Sequence, residues 1–313
     1  MLSRTADSLF WFARYLERAD FQARLLETGM RLSSLPSTSG PGNEWESAIT
    51  ASGGMALFSQ LHDAADEDSA RHFIIFSKDN PSSIRNCIAV ARANARSVRA
   101  ALTSEVWEAI NEAWLELRAM GEGDMNREET LRFLDWVKRV PRAVEGAAHH
   151  TMLRNDAYWF MQLGEAIERA DNTARILDVK YHLLLPSTER VGGSLDYFQW
   201  AAILRQVSAL TAYHWVYRES VRPWLVADLL ILNRQMPRSL ASCYGRIVHT
   251  LDDIAEAYGQ HGPGQDQAAA ILARLEGLRI ADIFQLGLHE FITGFIQDNN
   301  RLGATLSQQY LLS

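Results

Sequence analysis

Very little in this sequence advertises a chemistry. Cysteine is nearly absent: Cys87 and Cys243 stand alone in 313 residues, which excludes a disulfide framework and fits a reducing compartment. Proline is scarce, eight residues against nine tryptophans, and this argues against a disordered chain. No apolar run approaches the ~20 residues of a membrane span; runs such as 73–76 and 158–161 are far too short. Positive charge is in deficit. A formal net charge of -7 speaks against a general binder of nucleic acid or of anionic membranes. The N-terminal stretch is amphipathic but carries Asp7, Glu17 and Asp20 and has no apolar signal core. Neither a secretory nor a transit peptide is expected there, and the cytoplasm is the expected location.

Catalytic signatures are missing too. The glycine-rich stretch Gly259-Gln260-His261-Gly262-Pro263-Gly264 lacks the Lys-Ser/Thr of a phosphate-cradling loop, and no strand precedes it. A di-iron helical bundle needs Glu-x-x-His pairs on two helices, and none occurs. Glu145, His149 and His150 have no second cluster nearby in sequence, so packed or solvated histidine is the simpler reading. Neither cysteine has the His-acid neighbours of an activated thiol; small buried side chains account for both. No cofactor is expected, although a divalent cation is compatible with the paired carboxylates described below. No run of alternating residues bounded by turns marks a strand, so the fold class is all-α.

What is present is a soluble globular balance, 47% apolar and 22% charged, in a chain long enough for a sizeable core. Leu9, Phe12, Ala13, Leu16, Ala19, Ala23 and Leu26 recur at three- and four-residue steps and predict a long helix over 5–34. A loop at 35–42 follows, then helices over 45–62, 69–77, 105–120 and 128–150, the last with Pro141 as a boundary or kink. Asn80-Pro81 reads as a helix start, with Asn80 as the cap. Its helix runs through Ile84, Ile88, Ala91, Ala95 and Val98. Helices over 158–185, 197–218, 249–258, 268–275 and 278–312 complete the chain.

The chain also repeats itself. Leu16-Glu17-Arg18-Ala19-Asp20, with Arg24, Leu26 and Glu27, returns 151 positions later as Ile167-Glu168-Arg169-Ala170-Asp171, with Arg175, Leu177 and Asp178. Asn80-Pro81-Ser82-Ser83-Ile84 is answered by Met236-Pro237-Arg238-Ser239-Leu240 at a register of 156, and Cys243 falls where Cys87 does. Two matching stretches in the same order imply duplication. The expectation is one multi-helix bundle over 1–313, its halves at about 1–150 and 151–313, with approximate two-fold pseudo-symmetry.

At 100° per residue, Glu17, Asp20, Arg24 and Glu27 fall beside the apolar stripe, and Glu168, Asp171, Arg175 and Asp178 repeat the arrangement. Arg18 and Arg169 point to the far side, toward another helix or solvent. These eight groups form a candidate ligand-binding seam. Arg24 and Arg175 could hold a carboxylate or phosphate bidentately, and the acids could accept protons. The same pattern also suits an ion network that only fixes helix register. Arg85, Arg92, Arg96 and Arg99 run along one further helix as a solvated or partner-facing strip.

Leu2-Ser3-Arg4 with Leu16–Asp20, Asn80–Ile84, Asn94-Ala95-Arg96, Glu168–Asp171 and Tyr181-His182-Leu183-Leu184-Leu185-Pro186 together resemble the alpha-E domain family of bacteria. Ala93 departs from that pattern, in which a Glu stands beside Asn94-Ala95-Arg96, so this helix is not expected to supply an acid. The resemblance implies an all-helical protein acting with circularly permuted ATP-grasp ligases and transglutaminase-like proteins that make or modify peptides. The function expected on this basis is an accessory or binding protein of such a system, with the seam as its binding centre. An enzyme using its paired carboxylates in amide-bond or phosphoryl chemistry, and a pure scaffold, are the alternatives. A homo-oligomer is compatible with the sequence; nucleic-acid and membrane partners are not expected.

Overall fold

The computed structural model describes residues 1, 3–34, 43–121, 125–182 and 194–311. Among them every element is helical: α1 (Ser3–Leu32), α2 (Asn43–Ala51), α3 (Met55–Leu61), α4 (Glu67–Ile75), α5 (Ile84–Ser97), α6 (Ser104–Met120), α7 (Arg127–Thr151) and α8 (Asp156–His182). Then follow α9 (Ser194–Gln206), α10 (Leu210–Tyr217), α11 (Pro223–Ile231), α12 (Leu240–Tyr258), α13 (Pro263–Gly277), α14 (Ile280–Leu286) and α15 (Leu288–Tyr310), with a 3-10 turn at Arg99–Ala101. No described helix is long and apolar enough to cross a membrane.

Two helices lie at the centre. α1 packs against α8, α5, α7, α9, α2 and α4, and α8 packs in turn against α12 and α15. The reason is in their residues. Phe10, Phe21 and Leu25 of α1 lie off the Leu9–Leu16–Leu26 stripe and are buried all the same, so α1 has an apolar surface on nearly every side and no wet face to offer. The outer helices are one-sided: α5 buries Ile84, Cys87, Ile88, Ala91 and Ala95 and leaves Asn94, Arg96 and Ser97 outside its core face. α1 and α8 meet without space for a side chain at Gly164, where an added Cβ would collide with the Phe10 carbonyl oxygen.

Several expected boundaries move, each for a local reason. The single helices expected over 45–62, 197–218 and 278–312 are broken where the backbone turns left-handed, at Gly53 (φ 76°), Ser208 (φ 57°) and Gly287 (φ 101°). Pro141 does not end α7, which runs on to Thr151. The helix expected over 249–258 begins earlier, at Leu240, and α11 opens on Pro223 at its first position. The cap of α5 is Ser83, whose hydroxyl accepts from the Asn86 N–H, rather than Asn80. Asn80 instead accepts from the Ser82 N–H and donates to the Phe73 carbonyl, a side-chain turn that feeds the cap. The expected loop at 35–42 and the end of the second long helix at 185 lie outside the described residues.

Candidate functional site

The repeated Glu-Arg dipeptides face each other across the α1–α8 contact and exchange partners. Arg18 donates to Glu168 through Nε at 2.6 Å and Nη2 at 3.1 Å, and Arg169 donates to Glu17 at 2.8 Å. The arginines that helical phase turned away from the stripe are therefore the cross-links, because the far side of a fully packed helix is another helix. Each carboxylate takes a second guanidinium: Arg14 reaches Glu168 at 2.7 Å, and Arg238, from the turn before α12, reaches Glu17 at 2.6 Å. Both carboxylates are 2% exposed. Burial alone would raise the Glu168 carboxyl, but attraction to Arg14 and Arg18 and their hydrogen bonds overcome it and hold it at about 2. Glu17 is held low in the same way, with Arg169 and Arg238 opposing burial.

Asp20 lies one turn along. It accepts from Arg24 Nε at 2.6 Å and from Arg238 Nη2 at 2.9 Å. Arg24 Nη1 donates in addition to the Gln206 carbonyl at 2.7 Å and the Ser208 hydroxyl at 3.1 Å. Glu17, Asp20 and Arg24 are thus engaged by protein groups and buried. On the other side Arg175 donates to Asp171 at 2.6 Å, and there the seam opens into a cavity of about 230 Å³. Glu27 and Asp178 stand apart from this network. Glu27 pairs with Lys138 at 2.7 Å and Arg31 at 2.6 Å, and Asp178 lies 2.6 Å from His289 Nδ1. Of the eight seam residues, six are brought together and two serve outer helices.

The family model described as "a predicted alpha-helical domain with a conserved ER motif" matches residues 1–311. The chain belongs to the Alpha-E family. Its Glu17-Arg18 and Glu168-Arg169 dipeptides sit at the centre of the seam. No curated protein and no solved structure matches the chain.

Four network members escaped the sequence reading: Arg14, Glu165, Arg238 and Arg246. A signal existed for three of them. Arg14 and Glu165 are 151 positions apart with opposite charge, and Arg238 stands where the matched stretch has Ser82. At both places the two matching stretches differ in charge. Glu165 joins the seam to an open cleft: it lies 2.6 Å from Arg169 and 3.4 Å from Arg246. Burial, reinforced by Glu145, raises its carboxyl despite Arg169.

That cleft, about 830 Å³, runs between α7, α8 and α12 and is lined by Arg142, Arg154, Arg246, His149, His150 and His249 among others. Tyr158 and Trp159 add aromatic surface. Arg154 is fixed over the Tyr158 ring at 4.0 Å and donates to the His149 carbonyl at 2.8 Å. Glu145 and His149, singled out from sequence, are both on its wall. Among the described residues no group of acids, histidines or cysteines is arranged to hold a metal ion. Cys87 and Cys243 are buried, and burial pushes their thiols up to about 12 and about 11, far from a reactive thiolate. The arginine strip is tied down only in part: Arg92 of α5 donates to Asn111 at 2.9 Å, and Arg92 and Arg99, the latter in the 3-10 turn, lie over the Trp107 ring, while Arg96 is exposed.

Proposed function

We propose that the protein is a binding component of a peptide-making or peptide-modifying system, acting beside a circularly permuted ATP-grasp ligase and a transglutaminase-like protein. The α7–α8–α12 cleft is its binding site, and an acidic peptide or amino-acid carboxylate is the ligand. The observation that carries this reading is the convergence of Arg142, Arg154 and Arg246 on one open cleft with aromatic walls, in a chain whose overall charge is negative. Guanidinium groups recognise carboxylates with two parallel hydrogen bonds. Arg142 has no acidic partner among the described residues and is the arginine most free to do so.

In this reading the Glu17 half of the seam fixes helix register, and the two halves of the chain are duplicates about an axis through the α1–α8 contact. Support for the duplication comes from the reciprocal Arg18–Glu168 and Arg169–Glu17 bonds and from the matched caps Ser83 and Ser239, each accepting from the N–H three residues on.

A second reading, an enzyme, rests on Glu165: a buried carboxyl with a raised proton affinity beside a cleft is suited to general acid–base work. One experiment separates the two. Incubated alone with ATP and amino acids, the protein should release no phosphate and form no amide; turnover lost in Glu165→Gln would sink the binding reading. Calorimetric titration with an N-acetylated triglutamate peptide should show saturable binding, weakened about tenfold by Arg142→Ala at unchanged melting temperature.

A further inference from the structure

The two halves of the seam differ at one matched position. Arg238 stands directly before the cap Ser239 and places its guanidinium between Glu17 and Asp20, at 2.6 and 2.9 Å. The residue directly before the matched cap Ser83 is Ser82. Ser82 lines the cavity of about 230 Å³ together with Glu168, Asp171, Arg175 and Gln22. Glu168 has Arg14 as its second partner in place of an arginine from that turn. Asp171 has no such replacement. Its Oδ2 takes Arg175 Nε, while its Oδ1, and the Oε1 of Gln22, are buried and meet no donor among the described residues. Gln22 is 1% exposed and Asp171 8%, so unpaired oxygens at these places are costly unless something donates to them.

We infer that this cavity binds a guanidinium or primary ammonium group, which sits against Asp171 and Gln22 as the Arg238 side chain sits against Asp20. Two arginines already line the wall. Arg18 is engaged with Glu168 through Nε and Nη2, and Arg175 with Asp171 through Nε. The Asp20–Arg24 pair has the same spacing and the same 2.6 Å bond and accepts a second guanidinium on top of the first. An acid already paired once is therefore no obstacle to a further cation in this protein. Roughly 30 Å³ per water makes the cavity several waters in size, enough for the charged head and part of an alkyl stem.

The test is calorimetric titration of the full chain with agmatine, which carries a guanidinium and no carboxylate, and in parallel with an end-blocked Gly-Arg-Gly peptide. Agmatine should bind saturably, and Asp171→Asn should weaken it about tenfold or more. Ser82→Arg, which supplies the matched guanidinium from the protein itself, should abolish agmatine binding and raise the melting temperature. If Asp171→Asn fails to fold, Gln22→Met carries the same expectation of weakened binding. Binding of agmatine alone identifies a free amine or guanidine as the ligand, and binding of both identifies an arginine or lysine side chain. Absence of saturable agmatine binding by the folded wild type, or unchanged binding by folded Ser82→Arg, would overturn the inference. Because this cavity and the α7–α8–α12 cleft share no lining residue, failure here leaves the acidic-peptide reading standing.

Discussion

Arg238 is the residue on which most of the Glu17 half depends. Its guanidinium satisfies Glu17 and Asp20 at once, and removing one partner from a buried charge cluster leaves an uncompensated charge, at a cost of about 3–5 kcal/mol. Arg238→Ala is expected to lower the urea midpoint accordingly with an unchanged slope. The loss should be smaller in a Glu17→Gln/Asp20→Asn background, where no carboxylate is stranded; an equal loss would mean that packing of the arginine stem, not charge, is what Arg238 provides. Glu168 makes the complementary case. Its carboxyl, about 2 in the folded protein against an ordinary 4.5, is worth on the order of 3 kcal/mol. Because the folded value is depressed, that stability is fully present above pH 4.5 and is lost as the pH falls from there toward about 2. The melting temperature of wild type should drop through this window, and Glu168→Gln should be less stable at neutral pH with a flatter acid limb.

At the scale of elements, the α1–α8 contact is the joint that brings Arg14 and Arg18 to Glu168 and Arg169 to Glu17. Gly164 sets its spacing. Alanine is worth about 1 kcal/mol more than glycine inside a helix on propensity alone, yet a methyl group here would meet the Phe10 carbonyl, and a backbone atom cannot rotate away. Overpacking of this kind costs about 1–3 kcal/mol. Gly164→Ala should therefore destabilise the protein despite its higher helix propensity, and should do so partly by lengthening the Arg18–Glu168 and Arg169–Glu17 bonds. Gly245 of α12 is the control, since a Cβ there meets nothing, and its alanine variant should be neutral or slightly stabilising.

Over the whole molecule, charge is sorted by depth. The central pair of helices carries paired charges that face inward, and the three arginines of the cleft face out. The acidic-peptide reading concerns the cleft alone. Raising the salt concentration should therefore weaken binding of an acidic peptide in the cleft while leaving the melting temperature, which rests on the buried pairs, nearly unmoved. A parallel fall of both would place the ligand in the seam.

How much of this was legible in the sequence follows from what a helix repeat can encode. The three- and four-residue stripes and the absence of alternation fix an all-helical chain, and the twin Glu-Arg motifs mark the two central helices, because their own residues state both facts. Glu17, Asp20, Arg24, Glu168, Asp171 and Arg175 were recognisable as neighbours along one seam on the same ground. The partners were not. Arg238 is 221 positions from Glu17 in the chain, and only the packing of α12 on α8 brings them within a hydrogen bond. Helical phase assigned Arg18 and Arg169 to the side away from the core, since it knows one helix at a time and cannot see that the far side is also covered. Glu27 and Asp178 share their phase with the network but lie farther along the axis, where α7 and α15 supply other partners. Sequence determined which residues could pair; tertiary structure decided which do, because a buried charge takes the nearest counter-charge in space whatever its distance along the chain.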